Sequence, residues 1–261
     1  MERAEAIDHA EEIMRAADGV MIARGDLGVE IGDAALPPVQ KRLIRLAREM
    51  NKTVITATQM MNSMIENPVP FRAEVFDVAN AVLDGTDAVM LSGETSIGKY
   101  PVEVVKAVAR ACRGSEAKWE GSDGSRKLDE HFDRIDQAIA MSAMHCANRI
   151  GAIAIAALTE TGATPLWMSR MDSTIPIFAL SPRTDTLRRV TLYRGVHPIR
   201  FDSTRVPYPE LTAEVLRQLK AKGAVQTGDK VIITKGDLLG FSGGTNGMKI
   251  VEVDKFVEHV G

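Results

Sequence analysis

Three short apolar runs in the first half of the chain each end abruptly in small and polar residues. The runs cover Gly19–Ala23, Thr53–Thr56 and Ala88–Leu91. A strand that is buried on both faces of a parallel sheet is typically a continuous Val, Ile and Leu run of this length. The carboxyl ends of parallel strands share one rim of the sheet, so the polar residues that follow the runs are predicted to meet in one site.

Apolar residues at helical spacing fill the segments between these runs. Helices are predicted at Arg3–Ala17, from Val39 to Met50, at Arg72–Leu83 and at Val102–Lys118, with a turn at Arg24–Gly28 and polar loops at Thr56–Ser63 and Ser92–Tyr100. Because a helix precedes the first strand, Met1 and Glu2 are interpreted as the end of an earlier strand. The predicted fold class is α/β: a partial (β/α)8 TIM barrel consisting of its last three strand–helix units, or part of an open α/β sheet.

A polar stretch at Gly114–Glu130 separates a second α/β pattern from the first. The second pattern predicts helices at Phe132–Ile150, Pro165–Met171, Thr184–Tyr193 and Pro209–Lys222, and strands at Ala152–Leu158, Ile175–Leu180, Val196–Phe201, Lys230–Thr234 and Met248–Val253. We therefore expect a first domain at 1–118, a linker at 119–130 and a smaller α/β domain with a mixed sheet at 131–261.

Composition narrows the class of protein. A chain of 261 residues exceeds the usual single-domain size, and its 45% hydrophobic and 26% charged residues are ordinary for a globular protein. The formal net charge of −3 provides no general basic field for nucleic acid. No apolar run reaches membrane-spanning length, and the N-terminus does not resemble a signal peptide. We expect a cytoplasmic protein with neither a nucleic-acid nor a membrane partner.

Two groups of sulfur-containing residues are interpreted as packing residues. Cys112 and Cys146 lie in helical patterns without metal-ligand spacing, which favours a role as small buried hydrophobic residues. Met60, Met61 and Met64 follow the second strand and are also expected to fill a core.

Candidate chemistry begins with two acidic residues near strand ends, Glu2 and Asp26. Mg²⁺ is usually held by one or two carboxylates plus substrate oxygens and waters, so this pair is a candidate metal site. The alternative is a surface glutamate and a turn aspartate. Gly25 permits close backbone approach, and its N–H with that of Asp26 can bind an anionic carboxylate. Arg24 either clamps a phosphate or braces the turn, and bracing is favoured.

Further candidates follow the second and third strands. Thr58 carries a hydroxyl that can hydrogen-bond a carboxylate, or else it is a turn or cap residue. Ser92 and Glu94 can relay a proton through water, or else they cap the last helix of the first domain. These alternatives remain open at the level of the residues alone.

In the second half, the turn Thr159–Thr164 follows a strand and opens a helix, where a phosphate is readily bound. Thr159, Thr161 and Thr164 offer hydroxyls, and a capping turn is the alternative. Ser242 and Thr245 in a glycine-rich loop are candidates to complete the pocket. Arg183, after the next strand, is a candidate to supply positive charge, or else it is a solvated loop arginine.

The strings MIARGDLGVE, VITATQMMNSMI and FRAEVFDVANAVLDGTDAVMLSGETSIGKYP resemble pyruvate kinase sequences. The resemblance runs from Glu2 to Cys112 almost without gaps and continues more loosely to Val253. It implies a βα-barrel domain with the active site and a smaller C-terminal α/β domain for allosteric effectors. It also implies phosphoryl transfer between phosphoenolpyruvate and ADP, giving pyruvate and ATP in glycolysis. Mg²⁺ or Mn²⁺, K⁺ and a homotetramer are implied for the full-length family.

The resemblance assigns roles by position. Glu2 and Asp26 match the metal-binding carboxylates of the family, and Gly25, Asp26 and Thr58 match the groups that hold the substrate carboxylate. Ser92 and Glu94 match the SGET turn near the proposed proton relay, so Thr58, Ser92 and Glu94 are the catalytic candidates. The resemblance also implies that the candidate phosphate residues of the second half bind an effector: Thr159, Thr161, Thr164, Arg183, Ser242 and Thr245.

The departures from the family pattern are equally informative. The family carries a catalytic lysine two residues before the metal-binding glutamate, a position that would precede Met1. The first five barrel strands, the lid domain, the K⁺ ligands and the phosphate-gripping arginine are also absent from these residues. We expect the C-terminal part of a pyruvate kinase that is inactive by itself. The alternative is a non-catalytic effector-binding or assembly fragment, and a metal-dependent enolate aldolase is a weaker third option.

One departure concerns the effector. Ala163 occupies a position where relatives often carry a basic residue. A sugar monophosphate or a nucleotide monophosphate is therefore expected in preference to a sugar bisphosphate.

Overall fold

The computed structural model describes residues 1–117, 132–237 and 243–255 and divides the chain into two compact units, Met1–Glu120 and Gly121–Gly261. The predicted linker at 119–130 lies outside the described residues. None of the helices in the described ranges is both long and apolar enough to cross a bilayer.

The first unit is built on a parallel three-stranded sheet in the order β1-β2-β3. Its elements are α1 (Glu5–Asp8), α2 (Ala10–Ala16), β1 (Gly19–Ala23), α3 (Arg24–Ile31), α4 (Leu36–Glu49), β2 (Thr53–Ala57), a 3₁₀ turn (Asn62–Ile65), α5 (Arg72–Asp84), β3 (Ala88–Met90), α6 (Gly93–Ser96) and α7 (Pro101–Ala117). Ala23 pairs with Ala57, and Ala57 with Met90, so all three carboxyl ends lie side by side. The predicted strands and their shared rim are confirmed.

Two apolar clusters hold this unit together. One packs α2 and α4 against the first two strands through residues such as Met14, Ile22 and Leu43. The other is formed by Met60, Met61, Met64 and the inner faces of α5 and α7. All three methionines are fully buried, so their predicted packing role is confirmed. Burial on both sides of the strands explains why β1 is apolar and why β2 has only two threonines, Thr53 and Thr56, as polar residues.

Three segments of the first unit differ from the sequence prediction. The helix expected at Arg3–Ala17 is interrupted at His9, where φ is −100° and ψ is 17°; the first piece is attached separately, because Ala4 N–H donates to Glu30. The expected turn at Arg24–Gly28 is the start of α3, and the Ser92–Tyr100 loop contains α6. Both helices contain glycine, which weakens local helix propensity. Tertiary hydrogen bonds stabilise them instead: buried Arg24 donates to Ala57 O, and buried Glu94 accepts from Met61 N–H.

The second unit has a five-stranded sheet in the order β6-β5-β4-β7-β8. Its elements are α8 (Ile135–Ile150), β4 (Ala154–Leu158), α9 (Ala163–Ser169), β5 (Ile177–Ser181), α10 (Thr184–Val190), β6 (Val196–Arg200), 3₁₀ turns (Ser203–Arg205 and Tyr208–Glu210), α11 (Leu211–Ala221), β7 (Lys230–Gly236) and β8 (Thr245–Glu252). β8 is antiparallel to β7 and the other pairs are parallel, which confirms the mixed sheet. Two apolar clusters pack against its opposite faces.

Two boundaries in this unit differ from the prediction. α9 begins at Ala163, two residues before Pro165, because Gly162 adopts the left-handed conformation (φ 83°) that starts the helix. β8 begins at Thr245 because its pairing with β7 extends to Gly236 through an irregularity in the register. Cys112 and Cys146 form no disulfide within the described ranges, and each is half-buried against an apolar cluster, where a buried position was expected.

Candidate functional site

The carboxyl ends of β1 and β2 are joined by a hydrogen bond between two predicted substrate-binding residues. Gly25 N–H donates to Thr58 Oγ1 at 2.8 Å, and that hydroxyl donates to Ala57 O at 2.6 Å. Thr58 and Gln59 are both left-handed, with φ of 67° and 53°. A β-branched residue in this region is strained, and such strain concentrates at functional sites.

Arg24 holds the start of this strained segment. Its guanidinium is buried and donates to Ala57 O at 3.2 Å, to Thr58 O at 2.7 Å and to Asp77 Oδ1 at 2.6 Å. Two of these acceptors are the backbone carbonyls on either side of the Thr58 Cα. The favoured interpretation of Arg24, bracing rather than phosphate clamping, agrees with this geometry.

Glu94 holds the other end of the same segment. Its buried carboxylate accepts hydrogen bonds from Met61 N–H at 3.1 Å and from Ser92 N–H at 2.7 Å. Burial alone would raise the pKa of Glu94, but backbone N–H groups of Ser92, Glu94, Met61 and Met60 outweigh it, so the pKa lies below its ordinary value. The carboxylate therefore links the loop after β2 to the residue that follows β3.

Ser92 lies beside this anchor at the end of β3. Its N–H is used by Glu94, and its carbonyl accepts from Thr95 Oγ1 at 3.2 Å. Its hydroxyl makes no hydrogen bond to the described residues. Ser92 is therefore the member of the predicted relay pair whose side chain is available.

Glu2 is placed by the pairing of Met1 with β1. The amino group of Met1 donates to Met21 O at 2.6 Å, and Ala23 N–H donates to Met1 O at 3.0 Å. This is the pattern of a parallel neighbour, so Glu2 is level with the carboxyl end of β1. Glu2 and Asp26, in the first turn of α3, are both exposed. Within the described ranges no cluster of three or more acidic, histidine or cysteine ligands occurs.

An open pocket lies at the carboxyl edge of the sheet in the second unit. Four of the predicted effector residues line it: Thr159, Thr161, Thr164 and Thr245. Thr164 Oγ1 and Thr245 Oγ1 are 3.0 Å apart and hydrogen-bonded, which ties α9 to β8. Thr159 Oγ1 accepts from Gly162 N–H at 2.9 Å, so the predicted capping role of this turn is present in the same residues that line the pocket.

Two predicted effector residues are placed elsewhere. Arg183 is exposed, does not line the pocket and pairs with Asp185 at 3.3 Å, which matches its alternative interpretation as a loop arginine. Ser242 lies outside the described residues. Asp136, a buried acid in the lining, and its partner Arg134 were not among the residues predicted from the sequence. The Arg-x-Asp spacing at the start of α8 was the available signal.

Comparison with known proteins identifies the family. The profile described as the barrel domain of pyruvate kinase matches residues 1–105, and that of its alpha/beta domain matches residues 137–251. Pyruvate kinase II of Salmonella typhimurium is 52% identical over 258 residues, covering 97% of this chain and 54% of the relative. A pyruvate kinase of Haemophilus influenzae is 52% identical over 242 residues, covering 90% of this chain and 50% of the relative.

The two α/β units correspond to the residues that match the barrel domain and the alpha/beta domain of pyruvate kinases. The chain belongs to the pyruvate kinase family. It spans about half the length of the curated relatives that it matches.

Proposed function

We propose that this chain is the part of a pyruvate kinase that carries the last three strand–helix units of the barrel and the effector domain. The reaction is phosphoryl transfer between phosphoenolpyruvate and ADP, giving pyruvate and ATP in glycolysis. The domain bounds that follow are 1–118 and 131–261, joined by 119–130. A cytoplasmic location and a homotetrameric full-length protein complete the proposal.

The observation that carries the proposal is the junction of Gly25 and Thr58 at the shared carboxyl rim. It supports a rigid cradle for a small carboxylate, because Arg24 binds the Thr58 carbonyl and the Gly25 N–H binds the Thr58 hydroxyl. In the proposed complex the backbone N–H of Asp26 binds the substrate carboxylate, and the Thr58 hydroxyl turns its proton from Ala57 O to the same carboxylate. Glu94 positions Met61 and Ser92, and the Ser92 hydroxyl is the group available to pass a proton through water. Phosphoryl transfer depends mainly on such positioning and on charge neutralisation.

Glu2 and Asp26 have the donor chemistry for a hard divalent cation. Two exposed carboxylates suit Mg²⁺ or Mn²⁺, which take the remaining ligands from substrate and water. When bound, the ion neutralises phosphate charge and acts as a Lewis acid toward substrate oxygen. K⁺ is part of the proposal for the full-length protein.

A chimera tests the proposed reaction. The preceding half of the Salmonella relative, fused ahead of Glu2, is expected to give turnover in a lactate-dehydrogenase-coupled assay. Asp26→Asn should abolish this activity because it removes a proposed metal ligand. A folded chimera without turnover would contradict the proposal.

We further propose that the 261 residues alone are inactive and act, if at all, as an effector-binding or assembly fragment. The observation in favour is that the three described strands of the first unit form an open sheet, with only Met1 paired beyond β1. The same coupled assay on the purified chain should show no turnover. Activity that Glu2→Gln removes would refute this.

For the second unit we propose that the threonine-lined pocket binds a phosphorylated effector, with a monophosphate preferred to fructose 1,6-bisphosphate. The Thr161 hydroxyl has no partner among the described residues, and Ala163 adds no charge. Titration calorimetry of the full chain with AMP, glucose 6-phosphate and the bisphosphate tests the order of affinity. Tighter binding of the bisphosphate, or monophosphate binding that Thr161→Val leaves unchanged, would contradict the proposal.

A further inference from the structure

The charge of the second-unit pocket poses a problem for an anionic ligand. Among the described residues its lining contains two carboxylates, Asp136 and Glu160, and no lysine, arginine or histidine. The Asp136 side chain is only 3% exposed, so its charge is poorly screened by water. A phosphate can enter such a pocket only if a neighbouring cation offsets this charge.

Arg134 does not itself line the pocket, but it is paired with the lining residue Asp136 and is the nearest cation that the described residues place against that lining. Its Nε and Nη2 donate to the two oxygens of Asp136 at 3.0 and 2.8 Å, which fixes the guanidinium in a bidentate pair. The guanidinium also lies over the Trp167 ring, 5.4 Å from its centroid. Asp136 and Trp167 therefore hold the Arg134 guanidinium in one orientation. Because the side chain is already ordered, ligand binding does not incur the entropy cost of ordering it.

The pair is next to the glycine-rich part of the pocket wall. A Cβ built on Gly243 would lie 3.1 Å from Arg134 Nη2 and 3.6 Å from Asp136 Oδ2. Gly243 and Gly244 both line the pocket, so the absence of side chains there keeps the guanidinium close to its interior. Nη1 of Arg134 donates to none of the described residues and retains its two N–H groups.

We propose that Arg134 is the anion-recognition residue of this pocket and binds the phosphate of a phosphate monoester while it remains paired with Asp136. The inference rests on the proposed effector function of the second unit and names the residue that supplies its charge. Because Asp136 already accepts from Nε and Nη2 of the guanidinium, the remaining donors can bind one phosphate. Glu160 on the same lining repels a second phosphate, which accounts for the proposed preference for monophosphates.

Trp167 makes the proposal measurable in the full chain. The sequence contains two tryptophans, so Trp119→Phe leaves Trp167 as the sole reporter. Inorganic phosphate is expected to change Trp167 fluorescence saturably, since a ligand on Arg134 alters the cation above the ring. Arg134→Met should remove this change and weaken phosphate binding by about tenfold or more in calorimetry, the size of a charge-assisted hydrogen bond.

Two further variants separate recognition from folding. Arg183→Met removes an exposed arginine that pairs outside the pocket, and it should leave phosphate affinity unchanged. Arg134→Lys keeps the positive charge but lacks the planar set of guanidinium donors. It should bind phosphate more weakly than the wild-type chain but more tightly than Arg134→Met. Equal binding by wild-type and Arg134→Met chains would overturn the role of Arg134. If the wild-type chain showed no saturable phosphate binding, the proposed effector pocket itself would be wrong. That result would not bear on the reaction proposed for the first unit, which the coupled assay tests separately.

Discussion

The backbone N–H of Gly25 donates to the side-chain oxygen of Thr58 at 2.8 Å, linking the first turn of α3 to the residue after β2. The link spans 33 residues and joins the ends of two neighbouring parallel strands. It is one of several hydrogen bonds that maintain Thr58 in a conformation it would not adopt alone.

Removal of the Thr58 hydroxyl should destabilise the first unit. In Thr58→Ala the Gly25 N–H loses its acceptor while the left-handed backbone remains, so we expect a loss of about 1–2 kcal/mol in the free energy of unfolding. Thr58→Ser is the matched control, because it keeps the hydroxyl and removes the β-branch. Urea denaturation followed by circular dichroism measures both, and equal stability of the two variants would contradict the explanation.

Arg24 should matter more than its partner Asp77. Arg24→Met leaves two carbonyls and a carboxylate without their buried donor, and we expect a loss of about 3–5 kcal/mol. Asp77→Asn should cost clearly less, because its side chain is 35% exposed and Arg24 keeps both carbonyl bonds. Scanning calorimetry of the two variants gives the comparison. A larger effect of Asp77→Asn would show that the ion pair, rather than the carbonyl bonds, dominates.

Glu94 predicts a pH dependence of stability. Its folded-state pKa is depressed, so its contribution is fully present above the ordinary glutamate pKa of 4.5 and is lost as the pH falls below that value. Glu94→Gln should be less stable at pH 7 and should lose less stability than the wild-type chain between pH 6 and pH 3. Glu66→Gln, at an exposed pair with Lys99, is the control. Parallel stability curves for wild-type and Glu94→Gln chains would contradict this prediction.

Two glycines should respond oppositely to the same substitution. A Cβ on Gly98 would lie 2.3 Å from Glu94 O, so Gly98→Ala must open the turn after α6 and is expected to cost about 2 kcal/mol or more. Gly114 in α7 has open space around it, and Gly114→Ala should raise stability by about 0.5–1 kcal/mol. Thermal denaturation checks both signs, and destabilisation by Gly114→Ala would be inconsistent with the structure.

The two units should differ in their ability to fold alone. The five-stranded sheet of the second unit has an apolar cluster on each face, whereas the described part of the first unit places no strand beside the outer edge of β3. We expect residues 132–261 to unfold cooperatively near the temperature of the same unit in the full chain, and residues 1–117 to aggregate. Limited proteolysis should cut first within 114–130 or in the first unit. Equal protection of both halves would contradict this.

The parts of the fold that depend on local pattern were predictable, and those that depend on distant partners were not. β1 and β2 were evident because strands buried on both faces are rich in apolar and β-branched residues. α3 was missed because Gly25 and Gly28 weaken a helix that is stabilised by buried Arg24 and Leu27. The clustering of Gly25 with Thr58 was anticipated from their strand ends. The left-handed backbone of Thr58 was not, since nothing in its neighbours requires it.

The same distinction applies to charge. Glu94 was recognised as a functional candidate from the sequence. Its hydrogen bond from the Met61 N–H could not be predicted, because it depends on the position of Met61 in the folded structure. Arg134 and Asp136 were overlooked because their significance arises only when Gly243, more than one hundred residues later, folds beside them.

Arg24 also links α5 to the candidate site. Asp77 belongs to α5, whose neighbouring aromatic residues Phe71 and Phe76 are 65% and 68% exposed. One guanidinium connects this helix to the carbonyls of Ala57 and Thr58 without an intervening flexible loop. A displacement of α5 is therefore expected to act on Thr58 through Arg24, which would couple the exposed surface around Phe71 and Phe76 to the carboxyl rim of the sheet.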